Sequence, residues 1–235
     1  MSEIPLLFGT TNPGKLRELR RMVAGLPLRV LGPEDLPSPL PEVLEDGVTF
    51  EENAVKKAAA WARWSRLHTL ADDSGLCVDA LDGAPGVHSA RWSELEPAPA
   101  PSSPVCELAE GAAGELGAEA GRAARDERNN DKLLRALRGV PEALRGAEYR
   151  AVLCLARPDG TVLASVVGRC RGRIGHVRRG TGGFGYDPLF ITGVQGDGRE
   201  RTMAQLGAEE KDALSHRGEA FRKLLPVLAG LVRAP

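Results

Sequence analysis

The chain has little charge of either sign to spare: its formal net charge is -1 over 235 residues. That excludes a general nucleic-acid binder, which would be strongly basic. Any anion site must therefore be a local cluster of cations. A cysteine framework is missing too. The four cysteines, Cys77, Cys106, Cys154 and Cys170, are scattered with no C-x-x-C pair. This excludes a zinc ribbon or disulfide scaffold and predicts idle or buried thiols in a reducing compartment. No apolar run approaches the roughly 20 residues that span a bilayer. Met1-Ser2-Glu3-Ile4-Pro5 lacks a basic-then-apolar leader, so a cytoplasmic protein without a membrane partner is expected. Lysine is also scarce, with 6 against 25 arginines. Unless that ratio reflects codon bias, each remaining lysine marks a place where a compact ammonium is required.

What is present alternates between strand and helix signals. Leu6-Leu7-Phe8 reads as a buried strand ending at Gly9, and a helix follows from Pro13 with Leu16, Leu19, Val23 and Leu26 as its apolar stripe. Leu28 to Leu31 reads as a second strand. Thr49 and Glu52 form a capping box that opens an alanine-rich helix to about Leu67. A short apolar segment, Leu70-Ala71, then stops at Asp72-Asp73-Ser74-Gly75. Glu148–Ala156 and Val162–Val167 read as a β-hairpin about Pro158-Asp159-Gly160. A last helix, capped by Ser215, should bury Phe221, Leu224, Leu225 and Leu228. Of the 33 residues from Ser93 to Arg125, 23 are Ala, Glu, Gly or Pro and none is aromatic. That stretch reads as a flexible, partly helical insertion into a single domain spanning 1–235. The fold class predicted is α/β, a mixed β-sheet with flanking helices.

Two familiar motifs fail on inspection. Gly9 to Lys15 fits the first seven positions of a P-loop, but Leu16 stands where a magnesium-holding Ser or Thr is needed. The strand–turn–helix physics survives, because backbone N–H groups and the helix dipole favour phosphate. Asn12 and Lys15 could add donors, or Asn12 could simply cap the helix. Gly180 to Gly185 contains G-x-G-x-x-G, but Pro188 and the apolar Leu189-Phe190-Ile191 follow where a dinucleotide fold needs a helix. What remains is a glycine-rich loop presenting Phe184 beside Tyr186 and Asp187. It could stack a base on the ring, or be a tight turn with Phe184 in the core. Asp72-Asp73 at a strand end suits a metal or general-base role. Asn53 and Lys57 share one helix face, with Glu45 and Asp46 upstream. Lys211, His216 and Arg217 lie near the C-terminus, the last two in a first helical turn where the dipole disfavours cations. That placement suggests an anion or polar ligand. His68, His88 and His176 show no partner pattern.

Taken in order, Thr10-Thr11-Asn12-Pro13-Gly14-Lys15, Thr49 to Ala54 with Lys57, Ala71 to Leu76, Gly83 to Gly86 with Ser89-Ala90-Arg91, Gly180 to Asp187, Lys211 and Ser215-His216-Arg217 resemble the inosine triphosphate pyrophosphatase family of house-cleaning dITP/XTP pyrophosphatases. The resemblance implies a long mixed sheet, two lobes around a central cleft, a homodimer, and magnesium as cofactor. It implies hydrolysis of inosine, deoxyinosine and xanthosine triphosphates to the monophosphate plus pyrophosphate. Asp73 would be general base and metal ligand, with Asp72 and Lys57 in the catalytic group and Glu45 as a second metal ligand. Thr10, Thr11, Asn12, Pro13, Gly14, Lys15 and Ser74 would surround the triphosphate. Phe184, Gly185, Tyr186, Asp187, Lys211, His216 and Arg217 would surround the base. Two other classes stay open: a P-loop-like phosphatase or kinase acting at the γ-phosphate, and a non-catalytic nucleotide-binding regulator.

Overall fold

The structure, a computed structural model, describes residues 3–95, 115–194 and 198–233. Seven strands form one mixed sheet in the order β2-β1-β3-β4-β5-β6-β7. They are β1 (Ile4–Gly9), β2 (Leu28–Leu31), β3 (His68–Val78), β4 (Gly146–Ala156), β5 (Val162–Ile174), β6 (Phe190–Val194) and β7 (Glu200–Thr202). Five α-helices accompany them among the described residues: α1 (Pro13–Met22), α2 (Phe50–Ser65), α3 (Glu115–Ala136), α4 (Ala208–Leu214) and α5 (His216–Arg233). The α/β class with a mixed sheet and flanking helices is as expected.

The chain divides into two compact units, and β3, β4 and β5 each have residues in both. The first comprises Met1–Gly75, Glu148–Gly172 and Leu206–Pro235. Here β1 pairs parallel with β2, Ile4 opposite Leu28, and parallel with β3, Gly9 opposite Ala71. Alternation along a strand sends successive side chains to opposite faces. Leu6, Phe8 and Leu70 therefore join the core formed with Leu16 and Leu19 of α1 and Phe221, Leu224 and Leu228 of α5. Gly9 points the other way, where a Cβ would lie 2.1 Å from the Trp61 ring of α2. The two helices thus cover opposite faces, and the β1–β3 junction is a topological switch point. Ligands of such sheets bind beyond the carboxyl ends of the strands at that point.

Three readings shift. Strand β3 does not stop at Ala71 but runs eleven residues, through Asp72-Asp73-Ser74-Gly75 to Val78. Local propensity disfavours Asp and Gly in strands, but here buried ion pairs and the sheet ladder outweigh it. Strand β5 likewise outruns its expected end at Val167 and reaches Ile174. Helix α1 also ends at Met22 with Val23 as its C-cap, so Leu26 lies beyond it, while the helix-start signals hold. Thr49 Oγ1 accepts the Glu52 N–H at 3.2 Å, although the Glu52 carboxylate takes Val48 N–H rather than that of the cap itself. Ser215 Oγ accepts from Gly218 N–H at 3.0 Å and caps α5, where Phe221, Leu224 and Leu228 are buried but Leu225 only partly.

The second unit comprises Leu76–Ala147 and Arg173–Gln205. Strand β6 pairs antiparallel with β5 and with β7. Buried Arg145 donates to the carbonyls of Leu137 (2.8 Å), Ile174 (2.8 Å) and Gly175 (2.9 Å), tying the chain after α3 to the end of β5. Helix α3 packs on a 3-10 helix at Gly86–Leu95, where Asn129 accepts Ser93 N–H and donates to the Ser89 carbonyl. Of the low-complexity stretch, 93–95 lie in that 3-10 helix and 115–125 in α3, while 96–114 lie outside the described residues.

Candidate active site

The loop after β1 is built by its own side chains. Thr10 Oγ1 accepts Asn12 N–H at 3.2 Å, and Asn12 Oδ1 accepts Gly14 N–H at 2.9 Å and Lys15 N–H at 3.3 Å. Asn12 is therefore the N-cap of α1, with Pro13 in the first turn. Its amide oxygen is committed to capping, so only its Nδ2 can serve a ligand. Leu16 is buried in the hydrophobic cluster and cannot take a metal.

Beside this loop, β3 places two adjacent carboxylates on opposite faces. Asp72 Oδ2 meets Lys15 Nζ at 2.8 Å, Arg217 Nε at 3.3 Å and Ser74 Oγ at 3.3 Å. Asp73 Oδ2 accepts from Asn53 Nδ2 at 3.1 Å, and its Oδ1 lies 3.6 Å from Lys57 Nζ and accepts Ser74 N–H at 3.0 Å. Both carboxylates thus lie within ion-pair reach of a lysine. Their proton affinities then part company. Burial pushes the Asp72 carboxyl up, but Lys15, Arg217 and Lys57 outweigh it and hold it well below the usual range. For Asp73, burial dominates the same kinds of cation and raises its carboxyl above the usual value. Two titratable neighbours pushed apart this way mark acid–base roles. Asp72 is thus held as the anion, ion-paired with Lys15 and Arg217, and Asp73 is the neighbour with the higher proton affinity.

Lys57 links the acidic side. Its Nζ lies 2.7 Å from Glu45 Oε2, and Asp46 pairs with neighbouring Lys56. Burial pushes the Lys57 ammonium down, but Asp73, Asp72 and Glu45 more than restore it, so it stays charged. Lys15 goes the other way, lowered by burial and by the charges of Arg217 and Lys57 despite Asp72. Asn53 works in two directions: its Nδ2 steadies Asp73 while its Oδ1 accepts Gly47 N–H at 2.8 Å. That bond pins the turn carrying Glu45 and Asp46.

Glu18 was not among the expected residues. It is buried on α1, one oxygen 2.9 Å from Lys211 Nζ and the other 3.1 Å from Arg217 Nη1. A glutamate three residues after Lys15, inside a helix whose stripe faces the core, was the available signal. Arg217 is held on three nitrogens, with Nη2 donating to Ser74 Oγ at 2.9 Å. His216 is buried and stacks on Tyr149, ring centroids 4.7 Å apart and planes 11° apart. Burial, then Arg217, Lys211 and Lys15, press its imidazole well below its ordinary value. It is neutral at pH 7, so one of the two cations expected in that first turn is not a cation. Its Nδ1 is buried without a protein partner, an atom that a bound base could satisfy.

In the second unit, Phe184 is half-buried and its N–H donates to Asp187 Oδ2 at 2.9 Å. Tyr186 is buried, its hydroxyl donating to the Ser89 carbonyl at 2.9 Å. Burial pushes that phenol up. Tyr186 and Asp187 thus hold the loop, and Phe184 is the ring left accessible. Among the described residues, no group of three or more His, Cys, Asp or Glu is placed to hold a metal ion by itself. None of the helices there is long and apolar enough to cross a membrane.

Comparison with known proteins supplies the family context. The model described as Ham1 family matches residues 6–227. A dITP/XTP pyrophosphatase of Anaeromyxobacter dehalogenans (strain 2CP-C) is 72% identical over 97% of this chain and 98% of its own. One from Streptomyces avermitilis is 44% identical, again over 97% of this chain and 98% of its own. Among solved structures, a HAM1 protein from Coxiella burnetii superposes with a TM-score of 0.72 at 30% identity, covering 97% of this chain and 99% of that one. A nucleoside-triphosphatase / dITP/XTP pyrophosphatase from Mycobacterium abscessus gives 0.63 at 38% identity, covering 95% and 100%.

Proposed function

The chain belongs to the Ham1 family, and from that premise we propose that it hydrolyses inosine, deoxyinosine and xanthosine triphosphates to the monophosphate and pyrophosphate. The observation that supports this best is the Asp72–Asp73 pair, one carboxylate fixed as an anion and the other poised to exchange a proton among lysines.

The donor set fits magnesium. Asp73 and Glu45 are hard oxygen donors that share the Lys57 ammonium. Magnesium keeps several waters and usually takes only one or two carboxylates plus substrate phosphates, so no larger protein cluster is required. Bound there, the ion supplies charge neutralisation on the triphosphate. The chain's residues do the rest. Lys15, Lys57 and the peptide N–H groups at the start of α1, with Thr10 to Gly14 and Ser74 around them, bind and orient the phosphates. Asp73 takes a proton from water, steadied by Asn53. That water attacks the α-phosphorus, the bond to the bridging oxygen breaks, and pyrophosphate leaves.

Base selection rests on polar groups with fixed roles. In the second unit Phe184 would offer the purine a stacking face, with Tyr186 and Asp187 holding the Gly185 loop; in the first, neutral His216 offers one donor and one acceptor. Lys211 and Arg217, both gripped by Glu18, set the polar wall. A site built to donate to the oxygen of hypoxanthine or xanthine leaves a buried donor unpaired against the adenine amino group. Such a mismatch is worth about 1–3 kcal/mol per group. The γ-phosphate alternative loses support from buried Leu16, and a silent regulator from the full carboxylate and lysine set. A panel of triphosphates with magnesium, scored for pyrophosphate against orthophosphate, tests the proposal. Comparable turnover of ATP and inosine triphosphate, or release of orthophosphate, refutes it. A homodimer in the cytoplasm, with no nucleic-acid or membrane partner, belongs to the same reading, and light scattering checks the assembly.

A further inference from the structure

The glycine-rich loop is closed by its own backbone, Arg179 N–H donating to the Pro188 carbonyl at 2.9 Å. Its shape inside that closure comes from helix α3. At the loop's approach, Arg178 Nη2 donates to Asp131 Oδ1 at 2.9 Å and to the Glu127 carbonyl at 3.1 Å. At its tip, one peptide unit is held from both ends. Gly185 N–H donates to Asp126 Oδ2 at 2.7 Å, and the Gly185 carbonyl accepts from Asn130 Nδ2 at 2.9 Å. Asp126 and Asn130 are four apart and share one helix face. They are further locked by Asn130 Nδ2 donating to the Asp126 carbonyl at 2.9 Å.

The chemistry of this grip is specific. Gly185 sits at φ +63°, a region that glycine enters freely, so the tip's conformation is not fixed by the residue itself. The preceding N–H, of Phe184, is taken by Asp187. Two consecutive amides therefore point at two carboxylates, and charge-assisted bonds of this kind are about twice as strong as neutral ones. Asn130 must present its amide nitrogen, since flipping it would set an oxygen against two carbonyls. Its Oδ1 is left buried without a partner, a cost a merely space-filling residue would not carry. Asp126 is raised by burial even with the Gly185 bond pulling it down. A half-buried, partly destabilised acid and a buried amide spend their bonding on one glycine peptide next to Phe184.

We propose that Asp126 and Asn130 are positioning residues for nucleobase recognition: by clamping the Gly185 peptide from α3 they fix the Phe184 ring on which the purine is stacked. This rests on the nucleotide reading above. Neither residue belongs to the carboxylate and lysine set around Asp73, so the clamp is assigned to binding and discrimination.

The test is steady-state kinetics of D126A, D126N, N130A and N130D on inosine triphosphate and ATP, with melting temperatures alongside. D126A should raise KM for inosine triphosphate roughly tenfold, the size of one lost charge-assisted bond, with kcat within about twofold. Its preference for inosine triphosphate over ATP should fall. D126N should recover most of the KM, because its Oδ1 still accepts the Gly185 N–H. N130D should not recover what N130A loses, because a carboxylate would face the Gly185 carbonyl. If D126A does not fold, the asparagine pair carries the same expectation. Unmoved KM and selectivity, a fall in kcat alone, or D126N as impaired as D126A overturns the inference while leaving the function standing. A wild type that releases no pyrophosphate from inosine triphosphate overturns both.

Discussion

Replacing Asp72 with asparagine keeps the side chain's outline and removes its charge, and the neighbours set the cost. Lys15 Nζ at 2.8 Å loses its carboxylate, while Arg217 keeps Glu18 at 3.1 Å and Ser74 at 2.9 Å. Asp72 is 2% exposed, so water cannot take its place. Removing one partner of a buried pair costs about 3–5 kcal/mol, and asparagine's remaining acceptor oxygen argues for the lower end, about 3 kcal/mol. For a chain of this size each kcal/mol moves Tm by about 2–4 °C, so D72N should melt roughly 6–12 °C lower at neutral pH. The pH dependence has a definite sign. The Asp72 carboxyl lies below its ordinary value of 3.8 in the fold, so its contribution is present above that value and lost as pH falls through the lowered native one. Wild type and D72N should therefore converge in acid. Asp73 has the opposite sign. Its native value is raised, so folding favours its protonated form, and at neutral pH its charge is a net burden. D73N should keep or raise Tm while turnover falls by about two to four orders of magnitude, the usual worth of a general base. Scanning calorimetry from neutral to acid, paired with pyrophosphate release, reads both. Equal Tm losses for D72N and D73N, or a D72N deficit that persists in acid, would sink the assignment of opposite roles.

In the metal-free protein the Asp73 carboxyl should titrate above the usual 3.8, because burial raises its native value; a midpoint at or below 3.8, read by NMR against D73N, would show that the neighbouring cations outweigh burial. E18Q should raise KM by roughly tenfold through loosened Lys211 and Arg217, with a melting loss visible in the same calorimeter. G9A should destabilise by about 1–3 kcal/mol, since a Cβ there would press into the Trp61 ring at 2.1 Å; an unchanged denaturation midpoint would show that Trp61 can move aside.

The sequence exposed elements with strong local punctuation and hid what depended on distant partners. Pro13 after Asn12, Thr49 before Glu52, and Ser215 before His216 announce helix starts because capping is a contact within three residues. Asp72 and Asp73 were visible as a pair, but the strand through them was not. Its two carboxylates are paired by Lys15, Lys57 and Arg217, supplied by three separate helices. Glu18 was overlooked because a search for an apolar stripe passes over a charged residue buried within it. The charge state of His216 was misjudged for a related reason. Its first-turn position is local, whereas the burial that lowers it depends on distant neighbours, the stacked Tyr149 ring of β4 among them. The chain from 115 to 125 reads by composition as part of a flexible, partly helical insertion, and α3 begins there and continues through Asp126 and Asn130. Alanine and glutamate, counted there as low complexity, are also strong helix formers.

Because four basic side chains (Lys15, Lys57, Lys211 and Arg217) are matched by four acidic ones (Glu18, Glu45, Asp72 and Asp73), the resting charge cluster is self-compensated. A polyanion arriving there finds no surplus of attraction and must displace bonds that already exist. Recruitment of substrate should then respond only weakly to added salt, in contrast to proteins that gather nucleotides with an open field of positive potential.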